Sequence, residues 1–358
     1  LTFRHGDRFP FSGLTGLGVQ HDWAVFDAPT AMVRLRGAEN CVVENCVFEA
    51  AGGDGLRLDL HAQLNRIEGN RIEHLGGVGV LLAGYGPGTK DVNKANRVRN
   101  NLIHHIGELY WHSPGIFLWQ SGHNEIAHNH IHHTPYTGIV VSGRIKWDPT
   151  GNAECSRTVR WPDVTDWLAD KPARPPWPER EQFLHGRENR VYRNDIHNAM
   201  ERMGDGNCIY VSGTGRNNQV RENYVHHSWG HHMNGAIRCD DDQHETVIER
   251  NVIHRTGGRA EGIIIKGRND IVNNFIVDLQ PGNRHRGYVL LVVVSPQGAR
   301  FQRNILWTDD PDLNAIYESL AYARGRGGRE PRLADMQADR NLYYCQGDPS
   351  WGGEVLEK

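Results

Sequence analysis

The chain reads as an all-β parallel solenoid of roughly ten to twelve coils, a fold class predicted by three observations. A phrase of Asn, any residue, an aliphatic residue and usually His recurs along the sequence. A small residue, usually Gly, and a run of alternating aliphatics follow it, as expected of strands with one face inward. The recurrences are spaced by about the length of one three-sided coil, too far apart for a hairpin meander.

The phrase stands as Asn101-Leu102-Ile103-His104, Asn129-His130-Ile131-His132, Asn194-Asp195-Ile196-His197, Asn223-Tyr224-Val225-His226 and Asn251-Val252-Ile253-His254. Looser copies begin at Asn45, Asn70, Asn274 and Asn304, and successive starts lie 25, 31, 28, 65, 29, 28, 23 and 30 residues apart. The glycine-led runs are clearest at Gly55-Leu56-Arg57-Leu58-Asp59, Gly138-Ile139-Val140-Val141-Ser142 and Gly262-Ile263-Ile264-Ile265-Lys266. Stacked about 4.8 Å apart, such coils make a cylinder roughly 50 Å long, filled by ladders of Ile, Val and Leu. Repeated Asn residues can bond to one another and to turn backbone, and repeated His can stack beside a turn. On that account His104, His105, His132, His133, His226 and His227 read as stacked turn residues, and no metal ligand is assigned. The doublet His231-His232 falls outside this register and stays among the candidates for function.

Residues 1–358 read as a single parallel β-helix domain carrying one long loop excursion, residues 144–186. The 65-residue interval between Asn129 and Asn194 exceeds one coil, and its excess holds Trp147, Trp161, Trp167, Trp177 and a Pro-rich run from Lys171 to Pro178 that cannot continue a ladder. Its tryptophans either offer flat apolar surfaces to a ligand or pin the loop onto the coils. Near the C terminus, Arg324 to Arg329 reads as a connector, and Asp339 to Tyr344 as one last coil.

Composition narrows the partners. Lys+Arg 40 against Asp+Glu 43 gives a net charge of −3, which argues against nucleic acid or a membrane surface. The longest hydrophobic run, Tyr288 to Val294, is too short for a membrane-crossing helix. With 21 His, 41 Gly and 5 Met the chain does not resemble a helical bundle. Cys41, Cys46, Cys155, Cys208, Cys239 and Cys345 contain no C-x2-C pair and read as buried reduced thiols. The chain begins at Leu1 with no Met and no signal peptide, and a longer parent chain with additional upstream domains is expected.

The outward positions of the glycine-led strands form two columns. One runs Arg57, Leu81, Phe117, Val140, Tyr210, Arg238, Ile264; the other runs Asp59, Ala83, Trp119, Ser142, Ser212, Asp240, Lys266. Charged and aromatic residues gather on the coils after the excursion, as in a polar groove floor suited to an extended sugar chain. Acid-assisted cleavage of a glycosidic bond needs two carboxyl groups, one protonated and one ionised. Asp205 and Asp240 are the candidate catalytic pair, with Asp241 as substitute. The run Asp240-Asp241-Asp242 is expected to raise its own pKa values by like-charge repulsion; the competing reading is a solvated turn or a calcium site. On a fully extended strand Asp205 and Asp240 would stand about 20 Å apart, unless the turn at Gly204 and Gly206 folds Asp205 back.

The stretch from Gly107 to Val140, with Tyr110-Trp111-His112-Ser113-Pro114-Gly115-Ile116, together with Asp205-Gly206-Asn207-Cys208-Ile209-Tyr210 and Ala236-Ile237-Arg238-Cys239-Asp240-Asp241, resembles the right-handed parallel β-helix proteins of glycoside hydrolase family 141. The resemblance covers most of Arg4 to Asn304. It implies α-L-fucosidase or xylanase-type hydrolysis of plant cell-wall polysaccharide by two aspartates, which fall here at Asp205 and Asp240 or Asp241. Arg238-Cys239 before the aspartates and a third acid at Asp242 depart from the family pattern.

The leading expectation is a secreted or periplasmic glycoside hydrolase acting on a carbohydrate substrate without a cofactor. Tyr210, Arg238, Lys266, Trp119, His112 and His232 are its candidate substrate-binding residues. One alternative is a polysaccharide lyase with Lys266 or His232 as base and calcium held by Asp240 to Asp242. The other is a non-catalytic carbohydrate-binding solenoid.

Overall fold

The computed structural model describes residues 1–8, 26, 31–88, 90–144, 155, 160–172, 175–230, 234–257, 261–279, 288–294, 296–309, 314–318 and 335–345. Among them the chain winds as a parallel β-helix of three sheets with 11, 10 and 11 strands. Each complete coil visits a glycine-led strand, then a short strand, then the strand that follows the repeated Asn. One coil comprises Ile116–Trp119, Glu125–Ala127 and His130–His132. The three faces are called below the glycine-led sheet, the short-strand sheet and the histidine sheet.

Inward positions stack in register, because each coil places the same residue of its phrase toward the axis. On the histidine sheet Ile72, Ile103, Ile131, Ile196, Val225, Ile253, Ile276 and Leu306 pair strand to strand, and all are buried. A matching column of Ile67, Val98, Ile126, Val191, Val220, Ile248 and Ile271 lines the short-strand sheet. Burying each such side chain contributes roughly 1.5–3 kcal/mol, so the core is a sum of similar increments along the axis.

The corner between these two sheets is held by asparagine. Asn70, Asn101, Asn129, Asn194, Asn223, Asn251, Asn274, Asn304 and Asn341 form one ladder in which each Nδ2 donates to the next Oδ1 at 2.9–3.0 Å. Asn45 does not belong to it. Its place is taken by Cys46, whose backbone N–H donates to Asn70 Oδ1 at 3.0 Å, while Asn45 sits exposed one residue earlier in a left-handed backbone at φ +53°. A second ladder, Asn65, Asn96, Asn124, Asn189 and Asn218, holds the corner before the short-strand sheet. No histidine stands three residues after any of these asparagines, so this ladder lies outside the repeated phrase.

The strand His130–His132 pairs directly with Asp195–His197, so the coil closes across the excursion. Within the excursion, short helices span Thr165–Leu168 and Trp177–Arg180. Trp161, Trp167 and Trp177 gather with Val164, Phe183 and Leu184 into an apolar cluster of their own. Trp177 Nε1 donates to Thr214 O at 2.9 Å, pinning the loop to a later coil. Trp147 lies outside the described residues, as does the run from Arg324 to Arg329. The last coil is present, with Leu342–Cys345 on Ile305–Thr308. All six cysteines are free thiols, and burial pushes Cys208 and Cys239 up to about 12. Among the described residues, no helix is long and apolar enough to cross a membrane.

Candidate functional site

The two outward columns of the glycine-led sheet are in the register the alternation predicts. Arg57, Leu81, Phe117, Val140, Tyr210, Arg238 and Ile264 are consecutive partners, and Asp59 through Ala83, Trp119, Ser142 and Ser212 lead to Asp240. The expectation of a solvent-facing floor is corrected, however. Tyr210, Arg238, Asp240 and Lys266 are all buried. Over Tyr210, residues distant in sequence supply the cover: Phe26 and Cys155 pack with Phe117, Trp119, Val140 and Tyr210 into an apolar cluster outside the solenoid.

Charges collect next to that cluster. Asp240 is 4% exposed and ion-paired with both Arg238 and Lys266. Its Oδ2 accepts the Tyr210 hydroxyl at 2.9 Å and its Oδ1 accepts the Asp241 backbone N–H at 2.7 Å. Burial pushes this carboxyl toward protonation, but Arg238 and Lys266 overcome burial and hold it well below the usual carboxylate range. The expected like-charge rise along the aspartate run is therefore corrected at Asp240, where the cations decide the direction. Burial opposes the charge on Arg238 too, yet Asp240, Tyr210 and Asp205 hold that guanidinium well above its ordinary value. Tyr210 is shifted well up, first by burial and then by Asp240.

Asp205 meets the same guanidinium, with Arg238 Nη1 donating to its Oδ1 at 2.9 Å. The separation of about 20 Å for a straight strand is thus abolished. Asp205 adopts a left-handed φ of +52°, an excursion that Asp tolerates better than most residues, and the turn carries its carboxylate back over the strand Gly206–Ser212. Gly206 permits the fold-back: a Cβ there would lie 2.4 Å from the Tyr136 ring, whose hydroxyl donates to Asp205 O at 3.3 Å. His112, buried, packs against Tyr136 with ring centroids 4.5 Å apart, which places it beside the same turn.

The other candidates separate. Asp241 accepts Ser212 Oγ at 2.8 Å and pairs with Arg144 at 3.0 Å, whereas Asp242 pairs with Arg180 at 2.7 Å and His244 at 2.9 Å. The three aspartates are thus directed at three different sets of partners and do not converge on one centre. Trp119 is fully buried and presents no open face to a sugar ring. His232 lies outside the described residues.

Sequence reasoning missed Arg144 and Arg180, which the excursion delivers, and Asn207. The last is fully buried two residues after Asp205, and neither its Oδ1 nor its Nδ2 has a partner among the described residues. A buried amide left unsatisfied costs about 1–3 kcal/mol per polar group. The alternation did signal it, as a polar residue opposite Gly235 at the edge of the charged rows.

Two further acids lie toward the N-terminal end of this sheet. Asp59 is fully buried among Arg34, Arg36 and Arg57; burial opposes its charge, but Arg36 and Arg34 bring it down to about 2. Asp54, also buried, accepts the Val78 N–H at 2.7 Å, and burial raises it to about 6. On the short-strand sheet, an open groove of about 460 Å³ lies among Arg66, Arg97, Glu125 and Arg190, on a different face from Asp205 and Asp240.

A family model described as the right handed beta helix region matches residues 29–153. No curated protein matches the sequence. Among solved structures, a tailspike protein of E. coli bacteriophage HK620 in complex with a pentasaccharide is 10% identical, with 86% of this chain and 49% of that chain covered and a TM-score of 0.52. A glycoside hydrolase is 15% identical over 78% of this chain and 38% of that one, at a TM-score of 0.40. DFA-IIIase from Arthrobacter chlorophenolicus A6 is 10% identical over 87% and 68%, at a TM-score of 0.46. This chain spans less than half the length of the tailspike and glycoside hydrolase chains. What the chain shares with the tailspike is architecture: it is a right-handed parallel β-helix.

Proposed function

We propose that the chain is a carbohydrate-active enzyme of the glycoside hydrolase type, secreted or periplasmic, with Asp205 and Asp240 as its carboxylate pair. The observation that carries this reading is that two acids from different coils share the guanidinium of Arg238. In this proposal Asp240, held ionised by Arg238 and Lys266, is the base or nucleophile, and Asp205, the more exposed of the two, is the second carboxyl group of the pair. Tyr210 fixes Asp240 through its hydroxyl. The likeness to the tailspike supports a carbohydrate as ligand class, since that protein is in complex with a pentasaccharide. The narrower resemblance to family 141, with fucoside or xylan as substrate, rests on the sequence motifs.

The lyase alternative has less support. Of its two candidate bases, Lys266 is committed to Asp240 and His232 lies outside the described residues, and the aspartates of its calcium cluster pair with separate cations. The deciding experiment is a screen of plant and microbial glycans, read as released reducing sugar, with the wild type, Asp205→Asn and Asp240→Asn. The wild type should release sugar, and each variant should lose at least a hundredfold in rate. Release that survives in both variants removes the pair; glycan binding without any release by the wild type identifies a binding solenoid; an unsaturated product absorbing in the ultraviolet identifies a lyase.

A further inference from the structure

The histidine sheet carries on its outer surface a continuous stack of imidazoles. His104 lies parallel to His132 with centroids 4.7 Å apart, His132 to His197 at 4.9 Å, and His197 continues to His226 at 4.9 Å. This agrees with the stacking role read from the sequence. The nitrogens, however, are arranged for something more.

His130 Nε2 and His197 Nε2 face each other at 2.9 Å. His197 Nδ1 is 2.7 Å from the Asn198 side-chain oxygen, which can only accept, so the ring proton sits on Nδ1 and Nε2 offers a lone pair. A hydrogen bond from the far nitrogen is the usual support of a metal-binding histidine. A ring nitrogen of His132 completes a group that lies within 4.8 Å, and His132 Nδ1 is already bonded to His133 Nδ1 at 2.7 Å, which leaves its Nε2. Nitrogens bound to one metal at about 2.0–2.1 Å stand roughly 3 Å apart, the spacing of His130 and His197.

We propose that His130, His132 and His197 form a binding site for a late first-row divalent metal ion, of the class that imidazole donors prefer: zinc, nickel or copper. This is independent of the carbohydrate proposal, whose residues stand on another sheet. The location gives the ion a structural purpose. His130 and His132 belong to the last histidine-sheet strand before the excursion, and His197 to the next strand after it. A bound ion would clip together the two coils that 65 residues of intervening chain separate. A second group, His104, His105 and His132, shares His132 and is the competing location.

The test uses the whole chain and Zn²⁺ alone, titrated by calorimetry in a buffer that does not chelate metals, with Cu²⁺ electron paramagnetic resonance counting nitrogen ligands. One equivalent should bind with Kd in the micromolar range or tighter and raise the melting temperature by a few degrees. His130→Ala, at an exposed position that leaves the fold intact, should weaken binding at least tenfold, and His197→Ala likewise. His254→Ala, in the same row of the sheet but outside both groups, should leave Kd unchanged. Binding weaker than millimolar, or wild-type binding by His130→Ala, overturns the site. Loss on His104→Ala with none on His130→Ala assigns the ion to the competing group and also overturns it.

Discussion

Asp240 and Asp205 touch the same arginine but stand to lose different things on neutralisation. Asp240→Asn removes a buried carboxylate that pairs with both Arg238 and Lys266, so urea unfolding should show a loss of about 3–5 kcal/mol. Asp205 is partly exposed, and Asp205→Asn should cost about 1 kcal/mol or less while abolishing hydrolysis. An equal stability loss in both variants would show that Asp205 is as structural as Asp240. Asp54 makes a different prediction. Its folded pKa, about 6, lies above the ordinary 3.8, so the stability it contributes is fully present below pH 4 and is lost as pH rises through 6. By pH 8 the cost is about 3 kcal/mol. Asp54→Asn keeps an acceptor for the Val78 N–H and should flatten the pH dependence of urea unfolding between about pH 4 and 6 while raising stability at pH 8; an unchanged slope assigns that dependence elsewhere. At this scale the sequence revealed which residues share a row, since alternation alone sets the columns. It did not reveal their burial or their charge state, because Phe26, Cys155, Arg144 and Arg180 reach the row from far along the chain.

At the level of the element, each ladder asparagine serves two coils at once. Asn129 Oδ1 accepts the N–H of Asn101, and Asn129 Nδ2 donates to Val98 O at 2.9 Å and Asn194 Oδ1 at 3.0 Å. Removing that side chain strands several buried backbone and amide groups, each costing about 1–3 kcal/mol. Asn129→Ala should therefore lower stability by at least about 3 kcal/mol. Asn45→Ala tests the corrected register: it breaks no ladder and should cost about 1 kcal/mol, through its left-handed backbone alone. A comparison of the two by chemical unfolding decides the matter, and a large loss at position 45 would return it to the ladder. The fold was legible because a corner that must satisfy the same backbone groups in every coil demands the same residue type each time. The register at Asn45 was not, because Cys46 fills the ladder position with only a backbone N–H and leaves a neighbouring Asn as a decoy.

The whole molecule poses the question of what the excursion does for a solenoid that already closes without it. Asn129 bonds Asn194, and His132 pairs with His197, as tightly as coils joined by an ordinary turn. In a solenoid each coil rests on its neighbours, so chain looped out between two stacked coils costs mainly closure entropy, which grows slowly with length. Replacing residues 145–175 by a short Gly/Ser linker would leave Arg144, Trp177 and Arg180 in the chain, and with them the contacts to Asp241, Thr214 and Asp242. Cys155, however, is part of the apolar cover over Phe117, Trp119 and Tyr210, and the linker removes it. The shortened chain should keep the β-helix circular dichroism spectrum and a cooperative melt, lowered by a few degrees, while hydrolysis falls at least a hundredfold because the ground around Tyr210 and Asp240 opens to water and screens their charges. Retained hydrolysis would make the excursion dispensable to the proposed site. Loss of the cooperative melt would mean that the cover is a second core on which the coils depend, and that the solenoid is less self-sufficient than its ladders imply.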